Sequence, residues 1–217
     1  VYHWELDRIG TETDDPGFEF ISPTDFYAAS YFGVVLAAIG LIMLPAHIAG
    51  TREHGVLRRY DTAGFARWVF PTVQYLSGLT FALMAFAALI ATSALSYGLP
   101  AMDDRLRTLV GLALGTLAFI SLGVALGMLF RTQRAAQGLG LTLFFPMFLL
   151  GGGGPPLESM DGAMRTIAEW LPLTHVVRAS QEPWLGLDTG GDHLLVVVGI
   201  LVVSVAVWVG RSAMVSK

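Results

Sequence analysis

The chain has 217 residues, 54% of them hydrophobic and only 14% charged, with mean hydropathy +0.62 and a formal net charge of −4. That balance excludes an ordinary soluble domain, and the absence of cysteine excludes disulfides and thiolate metal sites. Charge is also clustered: Val69 to Leu99, Thr108 to Phe130, Ala135 to Leu157 and Leu194 to Gly210 carry none, and Tyr27 to Gly50 carries only the titratable His47.

A membrane span needs roughly 20 apolar residues, and one charge at its centre costs about 2.5–3.5 kcal/mol. Each of the five windows meets that requirement, so the expected fold is all-α, a polytopic helical membrane bundle. Ahead of it, residues 1–26 are polar and acidic, with Glu12, Asp14 and Asp15 and the breakers Pro16, Gly17 and Pro23. They read as the tail of a loop outside the membrane. Val1 is not an initiator Met and no secretory signal pattern follows it, so an upstream span is expected, with a processed N-terminus as the alternative.

The first span, 27–50, holds Gly33 and Gly40, small residues that let helices approach closely, and Pro45, which can kink its last turns. Thr51 to Trp68 is basic and locally amphipathic. Val56, Leu57, Tyr60 and Gly64 recur at helical spacing, Arg58 and Arg59 point away from them, and Asp61 is placed to cap a second short helix running into Pro71. The segment reads as a helix along the membrane surface with an apolar ridge open to a partner; an ordinary positively charged loop is the alternative. The second span, 69–99, is long enough that it must tilt, bend or protrude.

The third span, 108–130, carries GLALG at Gly111–Gly115 and GVALG at Gly123–Gly127, two small-xxx-small patterns that mark packing faces. The fourth, 135–150, holds Gly138, Gly140 and Pro146 with Phe144, Phe145 and Phe148, and stops at Gly151–Gly154 followed by Pro155 and Pro156. In 151–192, Met164, Ile167, Ala168 and Leu171 form one apolar stripe; beyond Pro172, Leu173, Val176, Val177 and Ser180 form another. Two short re-entrant helices fit this pattern. His175 and Arg178 are read as braces between them, and Glu158 and Glu182 as solvated. The last span is 194–210.

Topology follows from Lys and Arg. Segments 51–68, 131–134 and 211–217 hold eight of the thirteen basic residues in 29 positions, whereas 1–26, 100–107 and 151–192 hold five in 76 positions and carry 15 of the 17 acidic residues. The first set is expected in the cytoplasm, with the C-terminus; the second, with residues 1–26, outside. No P-loop, G-x-S-x-G, S-x-x-K or HExxH occurs, the five histidines lack metal-ligand spacing, and no acidic residue falls within a span. No catalytic residue, no metal site, no cofactor and no nucleic-acid partner is therefore expected, and a transporter of this make-up needs energy from another subunit.

The tract REHGVLRRYDTAGF resembles the loop between the second and third spans of type-2 ATP-binding-cassette (ABC) exporter permeases, where a Glu-x-Gly-x-Leu pattern opens a coupling helix. GGGGPPLESM followed by RTIAEWLPLTHVVRASQEPWLG resembles that family's segment after the fifth span, with its short external helices. The resemblance implies a single permease domain over 1–217, five spans visible of six, which pairs with a second permease subunit, identical or different, and docks cytosolic ABC ATPase subunits that bind ATP and Mg. Glu53, Gly55, Val56, Leu57 and Arg58 match the coupling-helix pattern, and Arg52, Arg59 and Tyr60 complete the segment expected to engage the ATPase. Spans 27–50 and 135–150 would border a cavity on the dimer axis, making Phe32, Phe144, Phe145 and Phe148 candidates to line a path for a drug, antibiotic or lipid-like cargo. The protein itself would be no enzyme. Arg outnumbers Lys twelve to one, which points to a GC-rich genome, and the expected location is a bacterial inner membrane. Two other readings are a membrane enzyme using His175 with a nearby carboxylate, and an assembly scaffold packing through its Gly-rich spans.

Overall fold

The computed structural model describes residues 23–66, 68–96, 102–187 and 192–214; the acidic segment 1–22 lies outside them, as do the side chains of Arg58, Asp61 and Glu158. Among the described residues every regular element is helical: α1 Pro23–Ala37, a π turn Ala38–Met43, α2 Leu44–Glu53, α3 Val56–Thr62, α4 Val69–Ser96, α5 Arg105–Leu129, α6 Gln133–Leu150, a 3₁₀ turn Leu157–Ser159, α7 Gly162–Trp170, α8 Pro172–Leu185 and α9 His193–Met214. Four helices among the described residues are long and apolar enough to cross a membrane: Phe26–Glu53, Val69–Leu95, Arg105–Leu129 and His193–Arg211. The fifth window forms α6, whose 18 residues open on the polar Gln133, Arg134 and Gln137. At 1.5 Å per residue α4 is about 40 Å long, more than the roughly 30 Å hydrocarbon core, so it must tilt or protrude.

The first span widens into a π turn just before Pro45. Proline lacks an N–H and its ring crowds the carbonyl four residues back, here Leu41. The chain answers with the π turn Ala38–Met43 and resumes as α2 with Pro45 in its first turn. Leu41 turns its carbonyl onto Gly140 of α6, where a Cβ would collide with it.

Helix α5 is the hub, touching α1, α2, α4, α8 and α9. Its two small-residue patterns serve different partners. Gly111 and Gly115 lie against Ala179 and Val176 of α8, while Gly123 and Gly127 lie against Gly40 and Ile48 of the first span. The apolar core runs through Leu36, Leu41, Ile48, Phe119, Ile120 and Val124, and into Leu173, Val176 and Val177. Helix α8 is therefore an interior element: the whole stripe Leu173, Val176, Val177 and Ser180 is buried. The stripe on α7 behaves otherwise, since only Ala168 is buried and Met164, Ile167 and Trp170 stay exposed. Helices α4 and α9 hold the periphery, with Leu83, Met84, Val202 and Val203 exposed on them.

One end of this bundle carries Arg52, Arg59, Arg131, Arg134 and Arg211 with α3 and the α5–α6 turn; the other carries α7, α8 and the start of α9.

Candidate functional site

At the arginine-rich end the surface segment is built differently from its sequence reading. Thr51–Glu53 still belong to α2, which ends at His54 because Gly55 takes φ +70 and closes the helix in the left-handed region. Helix α3 then runs only Val56–Thr62, and Gly64 at φ +78 turns the chain toward α4. Asp61 lies inside α3 and does not cap a second helix. Pro71 falls in the first turn of α4, where its missing N–H costs nothing.

The expected apolar ridge faces inward. Leu57 packs on the bundle core, and Tyr60 lies between the rings of Phe65 and Phe70 at centroid distances of 5.4 and 6.2 Å. The segment shows Glu53, His54, Arg59, Thr62, Phe65 and Trp68 to solvent, among others.

Arg52 and Glu53, expected to meet a partner, are turned to their own chain. Arg52 Nη1 donates to the carbonyls of Met128 and Phe130 at the end of α5, the latter at 3.2 Å. Those carbonyls lack acceptor work inside the helix and carry the negative end of its dipole. Glu53 Oε2 accepts from the backbone N–H of Gln133, 2.8 Å away, at the first residue of α6, whose orphan N–H groups favour a carboxylate. Gln133 was not legible as a partner, because 80 residues separate it from Glu53.

At the opposite end, the i, i+3, i+7 spacing of His175, Arg178 and Glu182 puts all three on one face of α8. His175 Nδ1 lies 3.0 Å from Nδ1 of His193 on α9, and His193 Nε2 lies 3.3 Å from Glu182 Oε1, which Arg178 approaches at 3.7 Å. The side chains of Arg178, Glu182 and His193 are 13–18% exposed, so Glu182, expected in solvent, is instead inside this cluster. Burial, then His193, push the His175 pKa below the usual histidine value; a bond to the backbone of Glu169 opposes that, and Arg178 adds to it.

The proton positions follow from chemistry. A carboxylate only accepts, so His193 carries a proton on Nε2. One proton between the facing Nδ1 atoms satisfies both rings, and a second there would set two N–H groups head to head. His193 escaped the sequence reading because nothing local links it to His175. His175, the residue of the enzyme reading, is joined to the carboxylate of Glu182 through His193.

The aromatic candidates separate. Phe32 is 4% exposed and packs on Phe86 and Trp184, at 5.0 and 5.7 Å between centroids. It is a core residue, packed in one cluster with Ala29 and Trp184. Phe144 stacks on Phe148 at 5.8 Å and meets Phe145 edge-on, and Phe145 is 56% exposed. Two cavities lie at the α8 end. One of about 330 Å³ is bordered by Asp103, Asp104, Arg107, Glu182 and His193, and one of about 30 Å³ by Phe26, Gly151, Thr174 and Gln181. None of the four phenylalanines borders either. Gln181 Nε2 donates to Ser30 Oγ at 2.8 Å and to the Phe26 carbonyl at 3.1 Å, tying α8 to the start of α1.

Compared with known proteins, residues 7–212 match the family model described as ABC-2 family transporter protein. The inner membrane transport permease YhhJ of Escherichia coli (strain K12) is 28% identical over 167 residues, which cover 70% of this chain and 42% of that protein. The putative transport permease YvfS of Bacillus subtilis (strain 168) is 29% identical over 87 residues, 40% of this chain and 35% of that protein. The chain thus spans less than half the length of either relative. No solved structure matches it.

Proposed function

Since this chain belongs to the ABC-2 family of transporter proteins, a family of multi-pass membrane transport permeases, we propose that it is the membrane-spanning part of an exporter driven by a separate cytosolic ATPase. The ATPase binds the ATP and Mg; this chain supplies the moving bundle. The arginine-rich end faces the cytoplasm, by the bias of basic residues toward that side, and the α7–α8 end faces outward. The membrane is the bacterial inner membrane, as the name of the E. coli relative has it for that protein.

The observation that carries this reading is α3: a seven-residue helix set off by two left-handed glycines at the arginine-rich end, within a chain that matches the family across 7–212. Its exposed Arg59 and the adjoining Phe65, 54% exposed, supply a cation and an aromatic anchor for a docking cleft. Gly55, Val56, Leu57 and Tyr60 seat the helix on the bundle, so that force on its outer face reaches the spans. Two permease subunits pair in the membrane. Their cargo is hydrophobic or amphipathic, and the exposed Phe145 with Phe144 and Phe148 on α6 offers aromatic surface for it.

The test is co-purification of the full-length protein from its own membranes. A P-loop ATPase is expected to accompany it, and Arg59→Glu is expected to lose that companion while the amount inserted in the membrane stays the same. If both Arg59→Glu and Phe65→Ala kept the ATPase bound and stimulated, α3 would not be the dock.

A further inference from the structure

We propose that Arg52 and Glu53 are positioning residues that carry movement of α3 into the α5–α6 turn, and that they do not contact the ATPase. The inference rests on the exporter reading and assigns a route to it. Arg52 and Glu53 are consecutive at the end of α2, with only His54 between them and the left-handed Gly55 that begins the step into α3. One reaches the last carbonyls of α5, Met128 and Phe130; the other holds the first N–H of α6 at Gln133. Each charge meets the helix terminus of opposite polarity, so the two bonds reinforce each other. Gly50 leaves room beside them for the Gln133 side chain, where a Cβ would stand 2.8 Å from its Oε1.

The consequence is directional. Whatever turns α3 about Gly55 drags the end of α2, and the end of α2 is fastened to the joint between α5 and α6. Helix α5 abuts α8 through Gly111 and Gly115, and α6 leads into the glycine turn before α7. A displacement at the arginine-rich end thus arrives at the opposite end along two helices.

The backbone allows a test that leaves the helices intact. Gln133 is the first residue of α6, a position proline favours, and Thr132 before it sits at φ −126, ψ 144, the extended conformation that a following proline demands. Gln133→Pro therefore deletes the donor to Glu53 without breaking α6. The probe is the full-length permease with its co-purified ATPase, spin-labelled through cysteines introduced at Leu95 on α4 and Thr166 on α7. The readout is the change in label distance on adding ATP and vanadate.

The unmodified background is expected to show a distance change. Gln133→Pro and Glu53→Ala are expected to abolish it while ATPase binding and hydrolysis persist, and their combination is expected to be no worse than either alone. Glu53→Gln, which keeps an acceptor oxygen, is expected to restore part of the change. An unaltered distance change in Gln133→Pro and Glu53→Ala overturns the route and leaves the exporter reading standing. Loss of ATPase binding in Glu53→Ala, with binding kept in Gln133→Pro, overturns it as well, because Glu53 would then be a docking residue. A protein that binds no ATPase refutes the exporter reading, and the route with it.

Discussion

Glycine is where single side chains decide how this bundle closes. At Gly111 an added methyl group would run into the Ala179 carbonyl, and at Gly140 into that of Leu41, both backbone atoms that cannot step aside. Gly138 and Gly199 have nothing within 4 Å of the same methyl. Gly111→Ala and Gly140→Ala are therefore expected to destabilise by about 1–3 kcal/mol, the usual cost of overpacking. Gly138→Ala and Gly199→Ala should be neutral or gain up to about 1 kcal/mol from helix propensity. Unfolding of the purified protein in mixed micelles, titrated with denaturing detergent, measures both pairs. Equal losses at all four positions would show that the contacts at Gly111 and Gly140 are not what sets their cost. The sequence marked glycines 111, 115, 123 and 127 as a packing face, yet it could not divide them between two partners. That division depends on where α8 lies, which no local pattern encodes.

Among elements, the contact between α8 and α9 has a built-in acid limit. His175 is held below its unfolded pKa of about 6.5, so the folded protein disfavours its second ring proton. Stability from this contact is fully present above about pH 6.5 and is lost as the pH falls through the lowered value. Charged groups around the pair include Arg178 and Glu182 on α8, Asp192 beside His193, Glu169 at the end of α7, and Asp103, Asp104 and Arg107 at the adjoining cavity. Thermal unfolding between pH 8 and 5 is expected to show a falling midpoint, and His175→Gln should flatten that slope. A slope of equal size in the variant would place the acid sensitivity elsewhere. The helices themselves were legible: apolar windows gave four helices long enough to span and a shorter fifth, α6, and the stripe Leu173, Val176, Val177, Ser180 gave the buried face of α8. Contacts over long separations were not. Arg52 with Met128, Glu53 with Gln133 and His175 with His193 join residues that no periodicity relates. The apolar spacing of Val56, Leu57 and Tyr60 was read correctly as a helix face, but its direction depends on the bundle beneath it, and it points inward.

At the scale of the molecule, the two ends differ in charge and in architecture, which makes sidedness open to measurement. The chain has no cysteine of its own, so introduced thiols report cleanly. A cysteine at Thr166 on α7 is expected to react with an impermeant maleimide in intact cells, and one at Ala63 beyond α3 only after permeabilisation. The opposite pattern would invert the orientation proposed here. The buried position of α8 also bears on how the protein is made. Its apolar face rests on α1, α5 and α9, and α9 is the later of these in the chain. During synthesis α8 must wait, partly uncovered, until the ribosome has delivered α9. A chain halted before His193 would therefore present an unsheathed hydrophobic element to whatever quality-control protease patrols the membrane.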